Sequence, residues 1–125
     1  MTVVWDTAVL IDILRGHEPA VSYAASLEEI PFCSEVVRVE VIRGLRDRER
    51  PMAERLFGEM RWVPVDEAIA RGAGEFGKRW GRAHPGLGTP DLIIAATAEL
   101  LGADLATMNV RHFPMFRPLR TPYRA

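Results

Sequence analysis

Val3-Val4-Trp5-Asp6-Thr7-Ala8-Val9-Leu10-Ile11-Asp12-Ile13-Leu14-Arg15-Gly16 contains two periodicities in fourteen residues. Val3 to Trp5 is a short apolar run, which reads as a buried strand. After Asp6-Thr7 the apolar residues Val9, Leu10, Ile13 and Leu14 recur at helical spacing up to Gly16, so a helix follows at once. An aspartate between a buried strand and the helix it feeds sits where α/β sheets place their ligands, at the carboxyl end of a strand.

The rest of the chain repeats the alternation. A helix is expected over Pro19 to Leu27 and a strand over Ile30 to Cys33, with Ser34 as the cap of the next helix. Residues 35–45 are two-sided. Val37, Val39 and Val41 alternate like a strand, whereas Val37, Val41, Ile42 and Leu45 share one helical face. The Ser34 cap, Glu35 in the positive first turn and Gly44 near the end decide for helix. Pro51 to Met60 reads as a proline-initiated helix, and Trp62 to Val65 as a brief extended piece at a sheet edge or turn. Asp66 caps a long helix whose core stripe is Ile69, Ala73, Phe76 and Trp80, with Gly72, Gly74, Gly77 and Gly81 allowing close packing. After a loop from Pro85, Thr89-Pro90-Asp91 opens another helix with Thr89 as cap. Gly102 ends it, Asp104 to Thr107 forms the last strand, and Met108-Asn109 turns away. Strands alternating with helices imply an α/β fold with a mostly parallel sheet covered on both faces.

Length and composition bound the function. The chain has 125 residues, 48% of them apolar, enough for one domain over 1–125 and too few for two. No apolar run approaches the roughly 20 residues needed to cross a bilayer, so no membrane association and a cytoplasmic location are expected. The single cysteine, Cys33, excludes an internal disulfide, and His17, His84 and His112 lack zinc-ligand spacing with it. Any metal must take oxygen ligands. A net charge of −1 argues against coating nucleic acid through an overall field, although arginines cluster locally. Arg43 to Arg50, Lys78 to Arg82, and Arg111 to Arg124 form three such stretches, and no acid follows Asp104.

Asp6, Glu40, Asp91 and Asn109 can converge on one end of such a sheet. Individually, Asp6 and Asp91 could be helix starters and Glu40 a solvated residue. Yet Glu40 lies within Val36-Val37-Arg38-Val39 and Val41-Ile42, and Asp91 precedes Leu92-Ile93-Ile94-Ala95-Ala96, so both adjoin buried faces. Like charges at ~4 Å repel by about 4 kcal/mol at an effective dielectric near 20, and a hard cation such as Mg²⁺ or Mn²⁺ would offset that repulsion. Phosphodiester chemistry suits such a site. Asp12 and Asp104 read as ordinary surface or turn residues, and Asp66 as a cap.

Four blocks, in order, resemble the PIN domains of the VapC family. Val4-Trp5-Asp6-Thr7-Ala8-Val9-Leu10-Ile11 looks like the family's opening, and Val37-Arg38-Val39-Glu40-Val41-Ile42-Arg43-Gly44-Leu45 like its glutamate helix. Thr89-Pro90-Asp91-Leu92-Ile93-Ile94-Ala95-Ala96-Thr97-Ala98 looks like its third-acid helix, and Leu105-Ala106-Thr107-Met108-Asn109-Val110-Arg111-His112-Phe113 like its closing motif. The resemblance implies a PIN-like three-layer sandwich with four to five short strands flanked by helices. It also implies Mg²⁺-dependent (or Mn²⁺-dependent) cleavage of RNA, a VapB-like antitoxin partner and a homodimer. Asp6, Glu40 and Asp91 would be the metal-site carboxylates, with Asp6 and Asp91 holding the principal ion. Asn109 falls where many relatives carry a fourth acid, and an amide keeps one oxygen ligand but loses the charge.

In this scheme Thr7 and Thr107 hydrogen-bond carboxylates or water, although capping and turn roles would explain them equally. Arg79, Arg82 and Arg111 are expected phosphate contacts, against a plain solvated surface. Trp80 could stack on a base, but its stripe favours core packing. In-line attack by water should leave 5′-phosphate and 3′-hydroxyl ends. The alternatives are a catalytically silent PIN module that only binds, and a phosphoacceptor receiver domain. The second fits poorly, because Asp6 has no acidic neighbour and the only lysine is Lys78.

Overall fold

A computed structural model describes residues 1–125. Strands β1 (Val3–Trp5), β2 (Phe32–Ser34), β3 (Arg61–Val63) and β4 (Asp104–Ala106) form one sheet in the order β3-β2-β1-β4, and every pairing is parallel. Each crossover carries two helices: α1 (Thr7–Leu14) and α2 (Glu18–Ser26), then α3 (Glu35–Gly44) and α4 (Arg50–Phe57), then α5 (Glu67–Trp80) and α6 (Thr89–Leu101). All three residues of β1 are buried, which requires helices on both faces of the sheet and makes the three-layer sandwich a consequence of the apolar run.

The main core gathers Val4, Trp5, Val9 and Leu10 with Val37, Val41, Phe57, Ile94 and Leu105. A smaller cluster of Ile69, Ala73 and Ala96 lies along the seam of α5 and α6. Here Gly72 and Gly77 matter by their size. A Cβ on Gly77 would stand 3.2 Å from Leu92 and one on Gly72 3.4 Å from Ala96, so the bare backbone lets α6 approach. Gly102 ends α6 in the left-handed region at φ 59°, the usual glycine stop.

The ambiguous valines of residues 35–45 resolve as helix. Ser34 Oγ accepts from the Val36 amide at 3.2 Å, and Val37 and Val41 are buried while Val39 is 63% exposed, a distribution that only the helical period gives. Several boundaries differ from expectation. β2 begins two residues later than Ile30, because Ile30 is half exposed and the Pro31 carbonyl, not Ile30, takes up the first bond from Arg61. Helix α4 stops at Phe57, and a 3-10 turn over Asp47–Glu49 precedes it. β3 is an edge strand ending just before Pro64, which could not extend the ladder.

Thr89 does not cap α6. Gly88 takes that position without a side-chain bond, and Thr89 is the first helical residue. The stripe of α5 also ends early. Phe76 packs on the core, but Trp80 does not join it and lies half-buried beside His84 at 6.1 Å between ring centres.

Candidate active site

Every strand of a parallel sheet delivers the residue after it to the same end. Asp6 follows β1, and its amide donates to the Ala106 carbonyl at 2.9 Å, which carries the β1–β4 ladder one step beyond the strands. That bond sets Asp6 beside Thr107. The Thr107 hydroxyl, itself buried, donates to Asp6 Oδ2 at 2.6 Å and accepts from the Asn109 amide at 3.0 Å. On the other side the Thr7 amide donates to Asp6 Oδ1 at 2.8 Å, so Asp6 is also the N-cap of α1. The Thr7 hydroxyl then donates to Glu40 Oε1 at 2.6 Å, although 33 residues separate the two. One chain of hydrogen bonds therefore ties β4, β1, α1 and α3 together through two carboxylates.

Asp91 enters from the first turn of α6. Its Oδ2 lies 3.2 Å from His112 Nδ1. The carboxyl is raised above the usual aspartate range by burial, opposed by His112 and raised further by Asp6 and Glu40. Asp6, only 4% exposed, is likewise raised, chiefly by burial and then by Glu40, against the hydrogen bonds from Thr107 and Thr7. Asp6, Glu40 and Asp91 thus feel one another as like charges, and only His112 offers the group an ion pair at 4 Å or less.

No three His, Cys, Asp or Glu side chains close into a ready-made metal cage. A hydrated divalent ion does not need one, since Mg²⁺ is commonly held by one or two carboxylates with water and phosphate filling the octahedron. Oxygen donors, partial burial and three carboxylates faced by a single imidazole together fit such an ion and exclude a soft thiolate-binding metal.

The structure brings together Asp6, Thr7, Glu40, Asp91 and Thr107. Asn109 joins through its backbone amide, and its side chain is exposed. Arg79, Arg82 and Arg111 are all exposed and make no ion pair with these carboxylates; the Arg79 guanidinium lies 5.6 Å from the centre of the Trp80 ring. His112 is a member of the site that sequence reasoning misses. Its one signal is its place in the same closing segment as Asn109, three residues on. Asp12 is occupied elsewhere, accepting from the Tyr123 hydroxyl at 2.6 Å, and Asp66 Oδ1 accepts from the Ile69 amide at 2.9 Å as a cap. Asp104 opens β4 as an exposed strand residue.

Cys33 is fully buried in β2, and burial pushes its thiol up to about 12. It cannot serve as a nucleophile near neutral pH. Iodoacetamide at pH 8 should therefore leave the native chain unmodified and label it once denatured; rapid labelling of the native chain, read by mass spectrometry, would contradict this packing.

A four-stranded parallel sheet, three helical pairs and a carboxylate cluster at its carboxyl end define a class of acidic-site α/β proteins. Comparison with known proteins narrows the class. The PIN domain family model matches residues 3–114. Ribonuclease VapC19 of Mycobacterium tuberculosis is 43% identical over 122 residues, spanning 94% of this chain and 97% of the relative. Ribonuclease VapC10 of the same organism is 42% identical over 120 residues, spanning 94% and 90%. A toxin-antitoxin complex from Klebsiella pneumoniae contains a chain with the same fold, at TM-score 0.84 and 23% identity, covering 98% of this chain and 99% of that one. The chain belongs to the PIN-domain family, in its VapC branch.

Proposed function

We propose that the chain is a divalent-cation-dependent endoribonuclease, the toxin of a toxin–antitoxin pair, which hydrolyses RNA to 5′-phosphate and 3′-hydroxyl ends. The observation that carries this proposal is the convergence of Asp6, Glu40 and Asp91, from three distant segments, with two of them held in place by threonine hydroxyls. Asp6 and Asp91 would hold Mg²⁺, or Mn²⁺ in its place. When bound, the cation supplies Lewis-acid activation of the phosphodiester and of the attacking water.

The residues of the chain do the positioning. Thr107 and the Thr7 amide fix both oxygens of Asp6, so the carboxylate cannot swing away when substrate arrives. Glu40 keeps one oxygen engaged by Thr7 and leaves the other to orient water. Asn109, tied to Thr107 by its backbone amide, would complete the shell with its side-chain oxygen. The 2′-oxygen of RNA takes no part, which dictates the ends formed.

The relatives are named ribonucleases, and the structural neighbour is a toxin-antitoxin complex; both support this reading. We extend it to a VapB-like antitoxin as partner, a homodimer as the assembled form, and cytoplasmic RNA as the target. No helix is long and apolar enough to cross a membrane. The test is cleavage of RNA by antitoxin-free protein with Mg²⁺, followed by end-group analysis. Cleavage abolished by EDTA, giving ends that carry 5′-phosphate, is expected. A 2′,3′-cyclic phosphate product would overturn the mechanism. Binding without cleavage under every divalent ion would assign the chain as a silent module.

A further inference from the structure

We propose that a cleft walled by Arg111 and Arg117 binds a backbone phosphate of the RNA strand next to the one that is cut; this rests on the ribonuclease reading above. The cleft has a volume of about 500 Å³ and is lined by Val110, Arg111, Arg117, Pro118 and Leu119. A second cavity of about 280 Å³, lined by Met108, Asn109, Val110, Arg111 and His112, shares Val110 and Arg111 with it. Two residues of that second cavity also meet the acidic site: the His112 ring lies 3.2 Å from Asp91, and the Asn109 amide donates to Thr107 at 3.0 Å. Val110 and Arg111 thus form a wall common to both cavities, and His112, which lines the second, meets Asp91 of the acidic site.

The charge is free and the walls are fixed. Neither Arg111 nor Arg117 is engaged by an acidic side chain, and the sequence holds no Asp or Glu after Asp104. Phe113 is fully buried and Phe116 packs edge-on against Phe76 at 6.1 Å, which anchors the segment between the two arginines. Farther on, the Tyr123 hydroxyl holds Asp12 at 2.6 Å, and the Arg124 carbonyl lies 2.8 Å from His17 Nε2. The tail beyond Arg117 is therefore pinned to α1 and to the turn before α2, and the cleft needs no substrate to form it. A guanidinium presents a planar fork of donors that suits phosphate oxygens, while Val110, Pro118 and Leu119 offer an apolar wall to a ribose or base. An acidic catalytic centre repels a polyanion, so a cationic cleft at its edge supplies the attraction that brings the strand in.

The experiment measures binding of labelled single-stranded RNA by the full chain in EDTA, across a range of salt. Arg111→Ala combined with Arg117→Ala should weaken binding roughly tenfold at low salt. The slope of log affinity against log salt should fall by about 0.7, the share of the one phosphate that the variant no longer neutralises. Arg48→Ala combined with Arg55→Ala removes the same charge from the stretch beyond the far end of α3 and should leave the slope unchanged. With Mg²⁺ present, the cleft variant should raise KM for a long oligonucleotide and leave a dinucleotide substrate unaffected, which a loosened fold would not do. Lysine at both positions should restore the salt slope. The assignment is overturned by a wild-type slope in the cleft variant, by an equal loss in the control variant, or by loss of antitoxin binding with RNA binding intact. If wild-type protein neither binds RNA nor cuts it with Mg²⁺, the ribonuclease reading falls and takes the cleft with it; a wild type that cuts RNA while the cleft variant binds normally sinks the cleft alone.

Discussion

Asp6→Asn should reduce RNA cleavage by about three orders of magnitude, equivalent to ~4 kcal/mol of lost transition-state stabilisation, and should at the same time make the metal-free chain more resistant to heat. The two effects have one origin. Asp6 is buried beside Glu40 and Asp91, and its carboxyl is raised by that burial and by Glu40. A carboxyl whose folded value lies above its unfolded one binds more protons in the folded state. Stability then falls as pH climbs from the ordinary aspartate range through the raised values of Asp6 and Asp91. An amide accepts from the Thr7 amide as the carboxylate does, fills the same volume and has no charge to desolvate. Thermal melts in EDTA should show the variant above wild type near neutral pH, the gap closing as pH is lowered. Adding Mg²⁺ should raise the melting temperature of the wild type and leave the variant where it was. A variant that melts below wild type in EDTA at neutral pH, or that retains cleavage, would remove Asp6 from the proposed centre.

How much of this arrangement can be read from the chain alone depends on whether the signal is local. Val3 to Trp5 is apolar on both sides because both faces of β1 are covered, and a run of that kind is visible without coordinates. The valine-rich helix α3 is legible through its cap, since Ser34 and Glu35 outweigh β-branched propensity. Thr89 misleads because the Thr-Pro-Asp order suits a capping hydroxyl, yet Gly88 adopts the extended backbone of the cap and moves Thr89 into the helix. Trp80 continues the periodic stripe but does not join the core, and a one-dimensional pattern does not record where along a helix its packing partners stop. Asp6 and Thr107 meet through topology, because the parallel neighbours β1 and β4 deliver the residues after them to one side, whereas Glu40 and Asp91 reach that end from helices α3 and α6. The contact of His112 with Asp91 does not follow from it, since a 3-10 turn after β4 places that ring and short turns carry no periodicity.

Thr107→Val should damage the protein more than its single lost hydroxyl suggests. Valine keeps the volume and the branching, so packing in the surrounding core is preserved and the change isolates the hydrogen bonds. Thr107 is fully buried, donates to Asp6 Oδ2 and accepts from the Asn109 amide. Removing it leaves a buried carboxylate oxygen and a backbone amide without these partners, a loss of about 2–3 kcal/mol when a charged acceptor is involved. The same bond joins β4 to the carboxylate and fixes the turn that carries Asn109, Arg111 and His112, so its loss should also lower cleavage roughly 10–100-fold, the usual cost of removing a group that orients a ligand. Thr107→Ser keeps the hydroxyl and should recover most of both. Urea denaturation and initial rates on the three proteins separate the contributions, and combining Thr107→Val with Asp6→Asn adds the decisive comparison. If the hydroxyl acts through Asp6, the double variant should lose less stability than the two single changes added together, because the acceptor charge that made the loss expensive is gone. Strict additivity would mean that Thr107 supports the turn alone and that the carboxylate is held by other contacts.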